Sequence, residues 1–178
     1  GLVDRAKLQG GERVLVHGSA GAVGVFVVQI AKLQGAYVIA TAAGPNIEFV
    51  KSLGADEIID YKTTAFEHSV ANVDIVFDAV GGETLQRSWQ LLSPNGRVVT
   101  IAAESEGVSD ERIKAAFFIV EPDREQLEKL SILIHKGALR PFLAGVVSLE
   151  DAPAAYAGRI PRKDGHGKIV VAVVASEN

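Results

Sequence analysis

The chain has 178 residues, of which 48% are apolar and 22% charged, and its formal net charge is −4. This length suits about one domain of roughly 100–200 residues that buries its core without disulfides or metals. The weak negative charge argues against a nucleic-acid surface, and the absence of cysteine from these residues excludes a disulfide framework and a cysteine nucleophile. A cysteine-free chain suits a reducing cytoplasm, and no apolar run approaches the roughly 18 residues of a membrane helix.

Short β-branched runs alternate with helical patterns along most of the chain. In chain order, they predict a strand at Arg13–His17, a helix at Gly21–Gln34, a strand at Tyr37–Thr41, a helix at Pro45–Leu53 and a strand at Glu57–Asp60. There follow a helical turn at Ala65–Val70, a strand at Val73–Ala79, a helix at Glu83–Leu92, strands at Arg97–Ala102 and Ala115–Val120, and a helix at Asp123–Lys136. The helix at Glu83–Leu92 is expected to stop at Ser93-Pro94-Asn95-Gly96.

The predicted strands are nearly continuous apolar runs, which is typical of a parallel sheet covered on both faces. We therefore predict an α/β fold, a doubly wound six-stranded parallel (Rossmann) sheet in the order 3-2-1-4-5-6. After Gly137 the alternation ends, with an extended stretch at Leu139–Leu149, a short helix at Glu150–Arg159, a polar loop at Arg162–Gly167 and a strand at Lys168–Val174. The prediction is a dinucleotide-binding domain at 1–138 and a separate tail at 139–178.

The strongest chemical signal is the glycine-rich run Gly18-Ser-Ala-Gly-Ala-Val-Gly24, which follows the first predicted strand and opens the first long helix. Such a turn lets the backbone approach a pyrophosphate, whose charge is then bound by free amides and the positive end of the helix. The run departs from G-x-G-x-x-G because Ser19 stands at its first position. Its place between a strand and a helix is the context that supports nucleotide binding.

The stretch that ends the second predicted strand, Thr41 to Asn46, contains no acid. NAD-preferring sites carry Asp or Glu there for the ribose 2′-hydroxyl. Without a carboxylate to repel a 2′-phosphate, the sequence favours NADP(H) over NAD(H). Thr41, Asn46 and the Gly44 amide are candidates to bind that phosphate, with Tyr61 approaching from the third strand and Lys62 interpreted as a surface charge.

Five motifs in order make the chain similar to the medium-chain dehydrogenase/reductase superfamily, in its zinc-independent quinone oxidoreductase-like branch. The motifs are Gly11-Glu-Arg-Val-Leu-Val-His-Gly-Ser-Ala-Gly-Ala-Val-Gly24, Leu53-Gly-Ala-Asp-Glu-Ile-Ile-Asp-Tyr61, Asp74-Ile-Val-Phe-Asp-Ala-Val-Gly-Gly82, Leu92-Ser-Pro-Asn-Gly-Arg-Val-Val99 and Gly167-Lys-Ile-Val170. The resemblance implies a two-lobed enzyme that transfers hydride from NADPH to a quinone or an activated double bond without metal.

The same resemblance implies that this chain is the cofactor-binding half of such an enzyme. The tail from about Leu139 resembles the C-terminal return of a catalytic lobe whose larger, N-terminal part is missing here. We therefore expect a truncated product or a proteolytic fragment that is inactive alone. Two copies are expected to pair through the predicted sixth strand, Ala115–Val120, as relatives do.

The resemblance also implies roles for particular residues. Asn46 stands where many relatives have a basic residue that binds the 2′-phosphate. The cofactor-binding residues expected for this chain are Ser19, Ala20, Gly21, Ala22, Val23, Gly24, Thr41, Asn46, Tyr61, Val80, Gly81, Ile101, Ala102, Ala103, Phe117, Phe118 and Lys168. Ile101–Ala103 and Phe117–Ile119 are expected beside the nicotinamide. No catalytic side chain is assigned.

The remaining polar residues favour structural interpretations. His17 is expected to pack at the end of the first strand, and four scattered histidines without cysteine predict no metal site. Asp74 and Asp78 share a face of the fourth strand, where Asp78 is retained as a candidate that acts through a neighbouring group. No Tyr-x-x-x-Lys pair is present, which disfavours a short-chain dehydrogenase.

Three alternatives to a quinone or enone reductase remain open from the sequence. A 2-enoyl thioester reductase of the same superfamily would differ mainly in the absent lobe. A nucleotide-binding module without turnover is compatible with the same fold, because fold does not fix function. A methyltransferase would also use a glycine loop, but it usually has an acid after the second strand. For a quinone or enone reductase, the expected partner is a small-molecule electron acceptor. Binding to nucleic acid or to a membrane is not expected.

Overall fold

The computed structural model describes residues 1–161 and 166–173. Its main elements, in chain order, are β1 (Arg13–His17), α1 (Gly24–Leu33), β2 (Tyr37–Ala42), α2 (Ile47–Ser52), β3 (Glu57–Asp60), β4 (Val73–Asp78), α3 (Gly82–Ser88), β5 (Leu92–Thr100), α4 (Glu111–Ala116), α5 (Arg124–His135), β6 (Leu143–Ser148), α6 (Ala152–Tyr156) and β7 (Lys168–Ala172). Single turns of 3₁₀ helix lie at Gly44–Asn46, Phe66–His68, Trp89–Leu91 and Ala103–Ser105. None of the described helices combines the length and apolar character needed to cross a membrane.

A parallel sheet in the order β3-β2-β1-β4-β5 organises the first part of the chain. All four neighbouring pairs run parallel, as the apolar strands predicted. The chain moves outward from β1 to β3 and then crosses back to place β4 on the other side of β1. This reversal opens a crevice at the carboxyl ends of β1 and β4, which is where ligands bind in sheets of this kind.

The sheet forms because its central strands are apolar on both faces. In β1, Val14, Leu15 and Val16 are fully buried, and the apolar side chains of β2 and β4 continue this core. Helix α1 covers the sheet with its buried apolar residues and is followed by Gly35 at φ 78°. Glycine adopts this left-handed conformation without steric cost, so the helix stops there and β2 begins two residues later.

The predicted sixth strand is wrong. Residues 111–116 instead form α4, which begins because the Asp110 carboxylate accepts a hydrogen bond from the Arg112 amide at 2.9 Å. Ile113 and Ala116 then bury one face of this helix. Only Phe117 pairs with the sheet, through a single parallel bridge to Thr100. Helix capping and burial of one helical face therefore outweigh the apolar composition that suggested a strand.

Strand β5 is longer than predicted, because Ser93–Gly96, expected from the sequence only to end the preceding helix, lies within it. Leu92 pairs with Val73, and the next pair joins Arg97 to Ile75, so the intervening residues form an irregularity in the ladder. The predicted helical turn near Phe66 is present as one 3₁₀ turn.

The chain divides into two compact units, Gly1–Leu139 and Arg140–Asn178. In the second unit, β6 and β7 pair in parallel as a separate two-stranded sheet, and α6 lies between them in sequence. Most of the polar loop predicted at Arg162–Gly167 and the end of the strand predicted at Lys168–Val174 lie outside the described residues.

Candidate nucleotide-binding site

A cleft of about 630 Å³ lies at the carboxyl ends of β1, β2, β4 and β5. Its volume is within the roughly 300–1,000 Å³ of small-molecule and cofactor sites. Backbone and small side chains form most of its wall. The lining residues are Gly18, Ser19, Ala20, Gly21, Ala22, Val23, Gly24, Thr41, Ala42, Ala43, Asn46, Tyr61, Ala79, Val80, Ile101, Ala102, Ala103 and Glu104.

The glycine loop between β1 and α1 forms one side of the cleft. Gly18 turns the chain with φ 74°, and its carbonyl accepts a hydrogen bond from the Gly21 amide at 2.9 Å. Gly24 packs so closely on this turn that an added Cβ would lie 2.7 Å from the Ser19 Cα. Among the described residues, no group accepts a hydrogen bond from the amides of Ala22 and Val23. These donors at the start of a helix suit a bound phosphate.

His17 lies beneath the loop in a closed hydrogen-bond network. Ser88 Oγ donates to the Thr84 carbonyl at 2.6 Å, so it accepts from His17 Nε2, 2.9 Å away. His17 Nδ1 then accepts from Thr41 Oγ1 at 3.0 Å. Burial lowers the pKa of His17 to about 4, so the ring is neutral near pH 7. The expectation of a packed strand-end histidine is confirmed.

Asp78 forms hydrogen bonds to the two segments on the opposite side of the cleft. Its fully buried carboxylate accepts a hydrogen bond from Thr100 Oγ1 at 2.7 Å and from the amides of Val80 and Gly81 at 3.1 Å. Thr100 Oγ1 in turn accepts from the Ala102 amide at 3.2 Å. The carboxylate thereby connects the two segments that follow β4 and β5, and a role for Asp78 at the site stays a prediction.

The other end of the cleft lies at the ends of β2 and β3. Asn46 and the half-exposed ring of Tyr61 line it, while the Lys62 ammonium lies 5.3 Å from the centre of that ring. Asp60 ends β3 here, and a Cβ on Gly44 would lie 3.2 Å from its Oδ2. Although the end of β2 carries no acid, the Asp60 carboxylate of β3 therefore lies beside it, outside the stretch 41–46.

The cleft brings together most of the residues expected to bind a cofactor. These are Ser19–Gly24, Thr41, Asn46, Tyr61, Val80 and Ile101–Ala103. Gly18, which opens the predicted glycine loop, also lines the cleft. Sequence reasoning missed Ala42, Ala43, Ala79 and Glu104 as lining residues, although all are adjacent to residues that it named or to one another. Only Glu104 among them carries a charge.

Four expected residues of the first unit, Gly81, Phe117, Phe118 and Ile119, do not line the cleft. The amide of Gly81 is bonded to Asp78. Lys168 begins β7 in the second unit, and its role stays a prediction. Phe117 is held at the edge of β5 by its bridge to Thr100, and the Arg5 guanidinium lies 5.3 Å from the centre of the Phe118 ring. Residues 111–116 form helix α4. The chain therefore reaches these two phenylalanines from a helix and not along the predicted sixth strand.

The donor set of the cleft suits a dinucleotide rather than a metal. Within residues 1–161 and 166–173, no group of three or more His, Cys, Asp or Glu side chains is placed to hold a metal ion. The glycine loop offers close backbone approach and free amides for a pyrophosphate, and the cleft extends from it in both directions along the strand ends. NAD(P)(H) matches this arrangement.

Comparisons with known proteins agree with this geometry. The chain is 32% identical over 175 residues to a probable zinc-binding oxidoreductase, mitochondrial, of Arthroderma benhamiae, with 92% of this chain and 53% of the relative covered. It is 35% identical over 174 residues to the chloroplast envelope quinone oxidoreductase homolog of Arabidopsis thaliana, with 89% and 51% covered. The chain thus spans about half the length of these curated relatives.

Solved structures give the same result. The quinone oxidoreductase of Coxiella burnetii superposes with a TM-score of 0.83 at 28% identity, covering 97% of this chain and 56% of that one. The CurK enoyl reductase superposes with a TM-score of 0.74 at 31% identity, covering 97% and 57%. A family profile described as zinc-binding dehydrogenase matches residues 53–171. The chain therefore belongs to the zinc-binding dehydrogenase family, in the quinone oxidoreductase-like branch of the medium-chain dehydrogenase/reductase superfamily.

Proposed function

We propose that this chain is the NADP(H)-binding half of a zinc-independent oxidoreductase that reduces a quinone or an activated double bond. The observation that carries the proposal is the cleft at the sheet's reversal point, with the glycine loop on one side and free amides at the start of α1. When bound, NADPH would supply the hydride. The residues of this chain bind and orient it, and no side chain here is assigned a catalytic role.

The direction of the cofactor follows from the topology. The pyrophosphate would lie against the loop at Ser19–Gly24, and the adenosine half would extend toward Asn46 and Tyr61 at the ends of β2 and β3. The nicotinamide half would then extend toward Val80 and Ile101–Ala103, which follow β4 and β5. The Asp78–Thr100 hydrogen bonds would fix this second half of the site.

The preference for NADP(H) rests on the end of β2. No acid lies between Thr41 and Asn46, so the preference rests on the absence of a carboxylate from β2 itself; the Asp60 carboxylate lies beside Gly44 on the neighbouring strand β3 and works against it. The Thr41 hydroxyl proton is committed to His17, which leaves Asn46 and the backbone at Gly44 as the main donors proposed for the phosphate. NAD(H) is the less favoured cofactor in this proposal.

A second candidate is a 2-enoyl thioester reductase, favoured by the similarity to the CurK enoyl reductase. Both candidates deliver a hydride to an activated double bond or quinone and differ in the acceptor pocket. We place that pocket largely in a second lobe, to which the unit from Arg140 onward would contribute a return segment.

We also propose a partner, a second copy of the chain, and a compartment. A homodimer would form through the segment 115–120, in which Ile119 and Val120 are exposed. The absence of cysteine supports a reducing cytoplasm as the setting. Light scattering at high concentration tests the dimer, and a monomer would refute it.

Calorimetric titration of this chain with NADPH and then NADH tests the cofactor proposal. Tighter binding of NADPH supports it, whereas equal affinities would remove the specificity claim and absence of binding would refute the site.

The chain joined to a complete catalytic lobe should then oxidise NADPH with a quinone, enone or enoyl thioester. Binding without turnover across this panel would instead favour a non-catalytic nucleotide-binding module.

A further inference from the structure

Glu104 places a negative charge at one end of the cleft. It lies in the 3₁₀ turn Ala103–Ser105 that follows β5, where the Ser105 amide donates to the Ala102 carbonyl at 2.9 Å. Among the described residues that line the cleft, it alone bears a formal charge at neutral pH. In that part of the chain no cation forms an ion pair with its carboxylate, and the exposed side chain lies at the start of α3, with Oε2 beside Gly81 and Gly82.

The carboxylate is held near the turn that follows β4. Added Cβ atoms on Gly81 and Gly82 would lie 3.6 Å and 3.2 Å from Glu104 Oε2. Gly81 is anchored to Asp78, and the turn that carries Glu104 is tied to the same aspartate through Thr100 and the Ala102 amide. The two backbone segments beside the carboxylate are therefore fixed to one buried group, Asp78.

This end is the one to which the proposed function assigns the nicotinamide half. The nicotinamide ring is a cation in the oxidised cofactor and neutral in the reduced cofactor, while the phosphates are the same in both. Repulsion between Glu104 and the phosphates therefore cancels when the two forms are compared. Attraction between the carboxylate and the ring charge does not cancel, because only the oxidised form carries that charge.

We propose that Glu104 is a specificity-determining residue that favours binding of the oxidised over the reduced nicotinamide cofactor. The inference rests on the proposed function and adds to it a preference between redox states. Such a preference would stabilise the charge that develops on the ring as hydride leaves, and it would make release of the oxidised cofactor slower.

The test measures dissociation constants of NADP⁺ and NADPH for this chain and for two variants. Glu104→Gln removes the charge with little change in shape and should weaken NADP⁺ relative to NADPH by about three- to tenfold, the range for charges several ångströms apart near a surface. Glu106→Gln is the matched control, since it removes an exposed charge two residues away that does not line the cleft. It should leave the ratio unchanged.

Two further arms keep the result decisive. Glu104→Asp keeps the charge and should retain most of the preference, and higher ionic strength should reduce the preference of the unmodified chain. An unchanged ratio in Glu104→Gln, or an equal change in Glu106→Gln, would overturn the role of Glu104 while leaving the cofactor site intact. An unmodified chain that binds neither form would refute the proposed function, and the role of Glu104 with it.

Discussion

Replacing Gly24 with alanine tests whether the glycine loop is packed as described. The new Cβ would lie 2.7 Å from the Ser19 Cα and 2.8 Å from the Gly18 carbonyl carbon, and nearer still to the Gly18 oxygen. All three are backbone atoms, so no side chain can rotate away. Overpacking of this kind costs about 1–3 kcal/mol, and the better helix propensity of alanine returns less than about 1 kcal/mol. We expect a net loss of about 1–2 kcal/mol in the free energy of unfolding.

The assay is urea unfolding followed by the fluorescence of Trp89, which lies in the same unit as the loop. Gly10→Ala is the matched control, because its Cβ would meet a single atom, the Gln34 carbonyl oxygen, at 3.3 Å. This control should change stability by less than about 0.5 kcal/mol. NADPH affinity should fall in Gly24→Ala and not in the control. A Gly24→Ala chain as stable as the parent would refute the close packing on which the loop geometry depends.

Three other changes test the cleft. Burial lowers the pKa of His17 from 6.5 to about 4, so the neutral ring stabilises the folded chain fully above pH 6.5. Between pH 6.5 and 4 the free energy of unfolding should fall by about 3 kcal/mol, because the unfolded chain binds a proton that the folded chain does not. NMR of the imidazole should show no titration above pH 5, and an ordinary titration near 6.5 would contradict the burial. Asp78→Asn opposes an amide to the Val80 and Gly81 donors and should cost about 1.5–3 kcal/mol in urea unfolding. Thr100→Ser should cost less, because it keeps the hydroxyl that bonds both Asp78 and the Ala102 amide, and equal losses would argue against the shared carboxylate. Asn46→Arg should raise the NADPH over NADH affinity ratio about tenfold by pairing with the 2′-phosphate, and an unchanged ratio would place that phosphate elsewhere.

The sequence predicted the sheet and the loop because both depend on local signals. Apolar β-branched runs such as Val14–Val16 have no alternative to burial, and the run from Gly18 to Gly24 can only turn sharply between strand and helix. The segment Ala115–Val120 was different. Its composition suits either a strand or the end of a helix, and the cap at Asp110 decided the outcome.

The site was less predictable where it depends on contacts between distant segments. Glu104 lies in the cleft because β5 ends beside β4, and Asp60 lies beside Gly44 because β3 pairs with β2. No spacing along the chain signals either approach. The commitment of the Thr41 hydroxyl to His17 likewise spans 24 residues, so the residue type alone suggested a phosphate ligand that the hydrogen-bond network disfavours.

Hydrogen bonds between the strand ends have a kinetic consequence. His17 hydrogen-bonds β1 to β2, and Ser19 Oγ donates to the Thr41 carbonyl at 2.8 Å. Asp78 hydrogen-bonds β4 to β5. The strand ends that form the floor of the cleft are therefore already connected by hydrogen bonds in the absence of a ligand. The conformational entropy of ordering that floor is therefore lost during folding rather than during binding. Cofactor association should be limited by diffusion and orientation, and the amides of these strand ends should be among the last in the unit to exchange with solvent.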